Sequence, residues 1–364
     1  MLGYPQSASG VLTTGGSAAN LIGLTVACNA KTKFDLRSDG WKVDDNMVMY
    51  ASQEVHSSIQ KSVELLGLGS SSLHAIPVDE AFQMNLDALH SRIAEDRTRG
   101  QLPFCVIGAA GTTNTGAFDD LNALADLCEQ ENLWLHVDGA FGAWAALSES
   151  AKHRVAGMQR ADSLAVDLHK WMYMPVEIGC VLVSNHDLHR ESFELTPAYL
   201  THGGGGRGIA GGDQPWFSEY GPQLSRQFRA LKAWISLKTH GVRKYGRLIE
   251  QNLRQTRYLV NLIEASEEME LCAPVPLNIV SFRYVRANLD EKQLNHLNAR
   301  IVVEIQEEGK VVLSGSLIES KYVLHVANTN HRTRIEDFDV LAREVLDVGR
   351  KIAEDVGRER EVRP

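Results

Sequence analysis

Several things a chain of this size often carries are missing. The five cysteines (Cys28, Cys105, Cys128, Cys180 and Cys272) form no Cys-x-x-Cys pair, which argues for reduced thiols in a reducing compartment rather than a disulfide or redox framework. The histidines lack ligand spacing, so no metal site is expected. No run approaches the roughly 18 consecutive apolar residues of a membrane-spanning helix, so no membrane association is expected. The first residues show no basic stretch leading into an apolar one; no secretory leader is visible, and the cytoplasm is the expected location. Positive charge is in deficit, with 37 Lys and Arg against 46 Asp and Glu and a net charge of -9, so no nucleic-acid partner is expected.

What remains is ordinary for a globular enzyme: 364 residues, 44% apolar and 23% charged, enough for a large core and two domains. Strand-like and helix-like segments alternate from Met47–Ala51 through Phe104–Ala110, Leu133–Val137 and Ile178–Val183. That alternation predicts an α/β fold, a mostly parallel sheet with helices on both faces, over residues 1–245. A helix over 242–268 then leads into a small α+β domain, the second unit being residues 246–364. Its strands are expected at Ile279–Val285, Val311–Leu313 and Tyr322–Val326, and its last helix at Asp337–Ile352. Pro222 opens a further helical pattern with Leu224, Phe228, Leu231, Trp234 and Leu237.

The segment Ser163 to Trp171 runs apolar residues into His169, Lys170 and Trp171. Lysine rarely sits in such company without a partner, and an aldehyde is one partner that solves the problem. On this nonapeptide alone, a lysine snorkelling beside Trp171 is the plainer reading. A second strand end, Leu135-His-Val-Asp138-Gly-Ala140, supplies a carboxylate and shifts the balance towards a pyridoxal phosphate site. Near the start, Gly15 and Gly16 free the backbone for a tight turn, and Ser17 can cap the helix that follows. The N–H groups of such a first turn form a phosphate cradle, although a plain capped helix explains the same letters. His56 could stack on a cofactor ring or be an ordinary surface histidine. Gly111-Thr112 closes a buried strand at a position suited to a site mouth. Seven glycines in residues 203–212 precede Trp216, Phe217 and Tyr220, which reads as a mobile or partner-contact loop.

These blocks, together with Leu224 to Trp234, resemble the pyridoxal-phosphate-dependent group II amino-acid decarboxylases, the family of the aromatic-amino-acid, glutamate and diaminobutyrate enzymes. The resemblance runs from about Gly10 to about Ile352 and implies the type I, aspartate aminotransferase-like fold with a seven-stranded sheet. It implies that Lys170 binds the cofactor aldehyde, that Asp138 pairs with the pyridine nitrogen, and that Ala140 and His56 cover the two ring faces. Gly16, Ser17 and His169 match the phosphate-binding positions, Asp167 lies near them, and Thr112 matches the threonine beside cofactor and substrate carboxylate. A homodimer with active sites at the subunit interface is implied as well. The family's N-terminal segment has no counterpart before Met1. The mobile-loop tyrosine that relatives use to protonate the substrate carbon falls on Phe217 in an ungapped count, with Tyr220 nearby; a phenyl ring has no proton to give. Asp167 stands where several relatives have asparagine, and it would repel a phosphate unless protonated or turned away. His325 stands where relatives often carry arginine. The implied activity is decarboxylation of an L-amino acid, aromatic or otherwise bulky. Other pyridoxal phosphate chemistry at the same carbon (aldehyde synthesis, aminotransfer or a lyase reaction) and an inactive dimerising homologue are the alternatives.

Overall fold

The computed structural model describes residues 1–42, 45–195 and 216–361. The first unit is built on seven strands: β1 (Ser9–Thr13), β2 (Met47–Ser52), β3 (Leu73–Ile76), β4 (Leu102–Ala109), β5 (Trp134–Asp138), β6 (Ser163–Asp167) and β7 (Gly179–Val183). Their spatial order is β1-β7-β6-β5-β4-β2-β3. All are parallel except β7, which runs antiparallel to both β1 and β6. Every residue of β2, β5 and β6 is buried, as expected of strands covered on both faces.

Two apolar layers sandwich this sheet. On one side α1 (Gly16–Lys31) and α3 (Ser57–Leu65) pack Ala19, Leu24 and Ile59 against Met49, Ile107 and Val181. On the other, α4 (Leu86–Thr98), α5 (Leu121–Glu131) and the long α8 (Val242–Glu264) bring Leu89, Leu124 and Ile249 to Val106, Leu135 and Val166. Local signals set the helix ends. Asp120 caps α5 by accepting from Asn122 N–H and Ala123 N–H, and Asn132 stops it in the left-handed conformation, φ 53°. The short α2 (Leu36–Asp39) and α6 (His186–Glu191) and the helix α7 (Arg229–His240) complete this unit.

The second unit is an antiparallel four-stranded sheet, order β10-β11-β9-β8, from β8 (Met269–Leu271), β9 (Ile279–Tyr284), β10 (Ser314–Ile318) and β11 (Lys321–Ala327). Helices α9 (Glu291–Glu308) and α10 (Ile335–Glu361) cover it, with Phe282, Leu297, Ile301 and Val345 at the centre of its core. A reciprocal capping box between Asp290 and Gln293 starts α9.

Three expectations are corrected. The strand foreseen at Val311–Leu313 lies at Ser314–Ile318, because Glu319 and Ser320, both at positive φ (48° and 68°), make a two-residue hairpin that pairs Ile318 with Lys321. The helix foreseen from Pro222 begins only at Arg229; the Arg226 guanidinium donates to the Leu12 carbonyl and ties the preceding segment to β1. Ser17 is not a cap, since α1 starts one residue earlier, after an extended Gly15, and has no side-chain cap. The glycine run at 203–212 lies outside the described residues.

Candidate active site

The carboxyl ends of β1, β2, β4, β5 and β6 all point to one edge of the sheet, the edge at which open α/β folds place their ligands. A cavity of about 370 Å³ opens there. Nine residues singled out from the sequence line it: Gly16, Ser17, His56, Thr112, Asp138, Ala140, Asp167, His169 and Lys170.

Lys170 follows β6 in a tight turn. Trp171 anchors that turn: it is fully buried, stacks on Phe141 at 5.6 Å, and donates from Nε1 to Asn252 Oδ1 on α8 (3.1 Å). The indole therefore faces the helical layer while the Lys170 amine, 38% exposed, faces the cavity with Nζ 3.5 Å from Asp167 Oδ2. Snorkelling along Trp171 does not describe it. Lys170 also borders a second cavity of about 500 Å³, bounded by Phe141, Tyr173, Met174, Ile279 and His331.

Asp138 ends β5. Its Oδ1 accepts from Ala140 N–H (3.1 Å) and its Oδ2 from the Asn20 amide (2.9 Å), so the carboxylate is fixed in place. His56 precedes α3 and caps it, its Nδ1 accepting from Ser58 N–H (3.2 Å). The Thr112 hydroxyl bonds Thr115 Oγ1 (2.9 Å) and accepts from Ala117 N–H (3.0 Å), which closes the turn after β4. His169 Nδ1 lies 2.9 Å from the Ile178 carbonyl, which fixes its ring against β7.

The first turn of α1 is where a phosphate would be held. It has no capping side chain, and its backbone comes close to its neighbours: a Cβ on Gly16 would meet Ala140 Cβ and Asp167 Oδ2, each at 2.9 Å. Asp167 is less hostile to an anion than its letter suggests. Burial pushes its carboxyl above the ordinary value against the opposing pull of Lys170 and His169, and Oδ1 has no hydrogen-bond partner. An uncapped helix start, a fixed interior carboxylate, small residues between them and a reachable amine fit the phosphorylated aldehyde expected from the sequence.

Two expected residues are not brought to this cavity. Tyr220 is 3% exposed, and its hydroxyl lies 2.5 Å from His186 Nε2 on α6. Phe217 is exposed in the short turn Phe217–Tyr220. Conversely, the sequence reading overlooked Asn20, Ser58, His136 and Ser163, which stand behind Asp138 and His56. Spacing puts His136 and Asp138 on one strand face and Gly16 and Asn20 on one helix face, but nothing in the letters joins the two faces.

Comparison with known proteins agrees with this geometry. The model of the pyridoxal-dependent decarboxylase conserved domain matches residues 1–285. An aromatic-L-amino-acid decarboxylase of Bacillus atrophaeus is 39% identical over 338 residues, 93% of this chain and 68% of that protein. An L-2,4-diaminobutyrate decarboxylase of Acinetobacter baumannii is 27% identical over 96% of this chain and 70% of its own length. Among solved structures, mouse CSAD superposes with a TM-score of 0.89 at 26% identity, over 96% of this chain and 73% of that one. The chain thus belongs to the pyridoxal-dependent decarboxylase family, and its reaction is the pyridoxal-phosphate-dependent decarboxylation of an amino acid.

Proposed function

We propose that the substrate is an aromatic L-amino acid and that Lys170, Asp138, His56 and Thr112 are the residues that process it. The observation that carries the substrate class is the second cavity. It opens beside the Lys170 amine, has an apolar side made by Phe141, Tyr173, Met174 and Ile279 and a polar side made by His325, Asn330 and His331, and has no Arg, Asp or Glu among its described lining residues. A side-chain carboxylate would meet no guanidinium there, only the imidazoles of His169, His325 and His331 and an amine engaged by the cofactor, and the ammonium of a diamino acid would meet no carboxylate. An aromatic ring would meet aromatic and aliphatic walls. The naming of the Bacillus atrophaeus relative points the same way.

In this reading the Lys170 amine would hold the cofactor aldehyde. Gly16, Ser17 and His169 would hold the phosphate, Ala140 and His56 would bound the ring, and Asp138 would keep a proton on the ring nitrogen. Bound there, pyridoxal phosphate supplies the electron sink for the pair released when the carboxylate leaves. His56 lines the same cavity and would deliver a proton to the substrate carbon. The test is a panel of L-amino acids with pyridoxal phosphate, read for carbon dioxide, amine, aldehyde and ammonia by mass spectrometry. Amine from an aromatic member at a kcat/KM at least about 10-fold above that for glutamate or 2,4-diaminobutyrate is expected. Preference for either charged substrate would reject the aromatic assignment, and aldehyde with ammonia would reassign the reaction.

We further propose that two copies of the chain associate through the outer face of α7 and the segment before it. Phe228 is 74% and Trp234 59% exposed, with Leu224, Leu231 and Ile235 beside them. Such a contiguous apolar stripe is what a self-associating surface presents. Sedimentation should give a dimer for the wild type and a monomer for Trp234→Asp; a monomeric wild type would refute the interface.

A further inference from the structure

The carboxylate and the imidazole that flank the cavity are connected behind its wall. Asn20, one turn into α1 and 1% exposed, uses its whole amide to join them. Its Nδ2 donates to Asp138 Oδ2 (2.9 Å) and to Ser58 Oγ (3.0 Å), and its Oδ1 faces His136 Nε2 (3.0 Å). His136 Nδ1 lies 2.8 Å from Ser163 Oγ, which also receives the Trp134 indole N–H (2.8 Å).

The proton positions follow from the ends of this chain. An indole N–H can only donate, and an ionised carboxylate can only accept. Asn20 must therefore turn its NH2 to Asp138 and its oxygen to His136, so His136 carries its proton on Nε2. Ser163, accepting from Trp134, gives its own proton to His136 Nδ1. His136 is thereby held neutral, and burial pushes its pKa down to about 4. The other branch ends at His56: the Ser58 backbone N–H can only donate to Nδ1, and the Ser58 hydroxyl lies 2.8 Å from the same atom. The neutral His56 ring thus carries its proton on Nε2.

We propose that Asn20 is a positioning residue for the cofactor, one amide that holds the Asp138 carboxylate in its acceptor orientation and, through Ser58, fixes the ring and tautomer of His56. The proposal rests on the reading of Asp138 and His56 as cofactor contacts. The titratable groups facing Asn20 are His136 and Asp138 from β5 and, through Ser58, His56 at the start of α3; Asp167 and Lys170 lie across Gly16.

The experiment titrates the cofactor-free full chain with pyridoxal phosphate, following visible absorbance. It compares Asn20→Leu and Asn20→Asp with the wild type at about pH 5.5 and about pH 8.5, with thermal unfolding of each protein alongside. Asn20→Leu removes a hydrogen bond to a charged group and should raise the dissociation constant about 10- to 100-fold. Asn20→Asp keeps the shape and the acceptor for His136 but sets two carboxylates together. Their mutual repulsion raises the pKa of one of them. Below that pKa the new side chain is protonated, donates to Asp138 and mimics the amide; above it, both are charged and Asp138 is repelled. The ratio of variant to wild-type dissociation constants should therefore be near 1 at about pH 5.5 and about 10 or more at about pH 8.5. A merely structural asparagine would lower the unfolding temperature and leave that ratio flat. A flat ratio overturns the proposal even if Asn20→Leu does not fold, and so does binding of both variants within about 2-fold of wild type. A wild type that binds no pyridoxal phosphate would take down the functional reading as well; normal wild-type binding with flat variants would take down Asn20 alone.

Discussion

Replacing Lys170 with alanine should lower turnover by roughly 10⁴-fold or more, the scale of loss when a covalently acting group is removed. Lys170 carries the only primary amine among the described residues lining the two cavities, so no second one can take its place there. Stability should change little. The turn is anchored by Trp171 on Phe141 and Asn252, and the lysine is more than a third exposed, which limits what its contact with Asp167 contributes. The assay is carbon dioxide release, together with borohydride reduction of the protein loaded with pyridoxal phosphate. Wild type should carry the pyridoxyl label on the peptide containing His169 and Trp171, and Lys170→Ala should carry none. Normal turnover by the variant would end the assignment of Lys170.

The second large effect is expected at Asp138. In Asp138→Asn the side chain keeps its shape, and one oxygen can still accept from Ala140 N–H or from Asn20. It loses the charge that would keep a proton on the ring nitrogen. A fall in kcat of about 10²- to 10³-fold is expected, with KM changed far less, because this charge is needed most as the bond breaks. Steady-state kinetics on the preferred substrate decides it: a variant within about 10-fold of wild-type kcat would show that the carboxylate is not the ring's partner. Asp138→Ala should be worse, since it also leaves one Asn20 N–H inside the wall without an acceptor.

Lys170 and Asp138, which reach the cavity, were readable from the letters because their chemistry is unusual for their surroundings. A lysine after the run Leu164-Ala-Val-Asp167-Leu168 and an aspartate after the strand Leu133–Val137 both contradict local burial. The mostly parallel sheet was readable for a related reason, since strands covered on both faces show as continuous apolar runs; its count of seven strands came from the family resemblance. What was not readable depends on contacts far apart in sequence. Asn20, Ser58, His136 and Ser163 are individually unremarkable polar residues, and only the fold converts them into one connected set. The helix foreseen from Pro222 begins only at Arg229 because Arg226 is tied to the distant Leu12 carbonyl, a contact that the apolar spacing of Leu224 and Phe228 does not reveal. Ser314–Ile318 was missed because its hairpin turn is Glu319-Ser320 rather than a glycine-bearing pair. Tyr220 was singled out for its hydroxyl, yet that hydroxyl is spent on His186.

The reversed strand β7 has a consequence for biosynthesis. Within the sheet, β1 borders β7 alone, and its register sets Ser9 opposite Val183. Of the strands of this sheet β1 is made before the others, and it must wait until the segment through Val183 has followed before its ladder can form; closing so long a loop is slow. The helix that carries Gly16 and Asn20 begins three residues after that strand ends. The turn at Gly15 and Gly16, proposed to hold the phosphate, is thus made before Lys170 and before the reversing strand that seats β1 in the sheet.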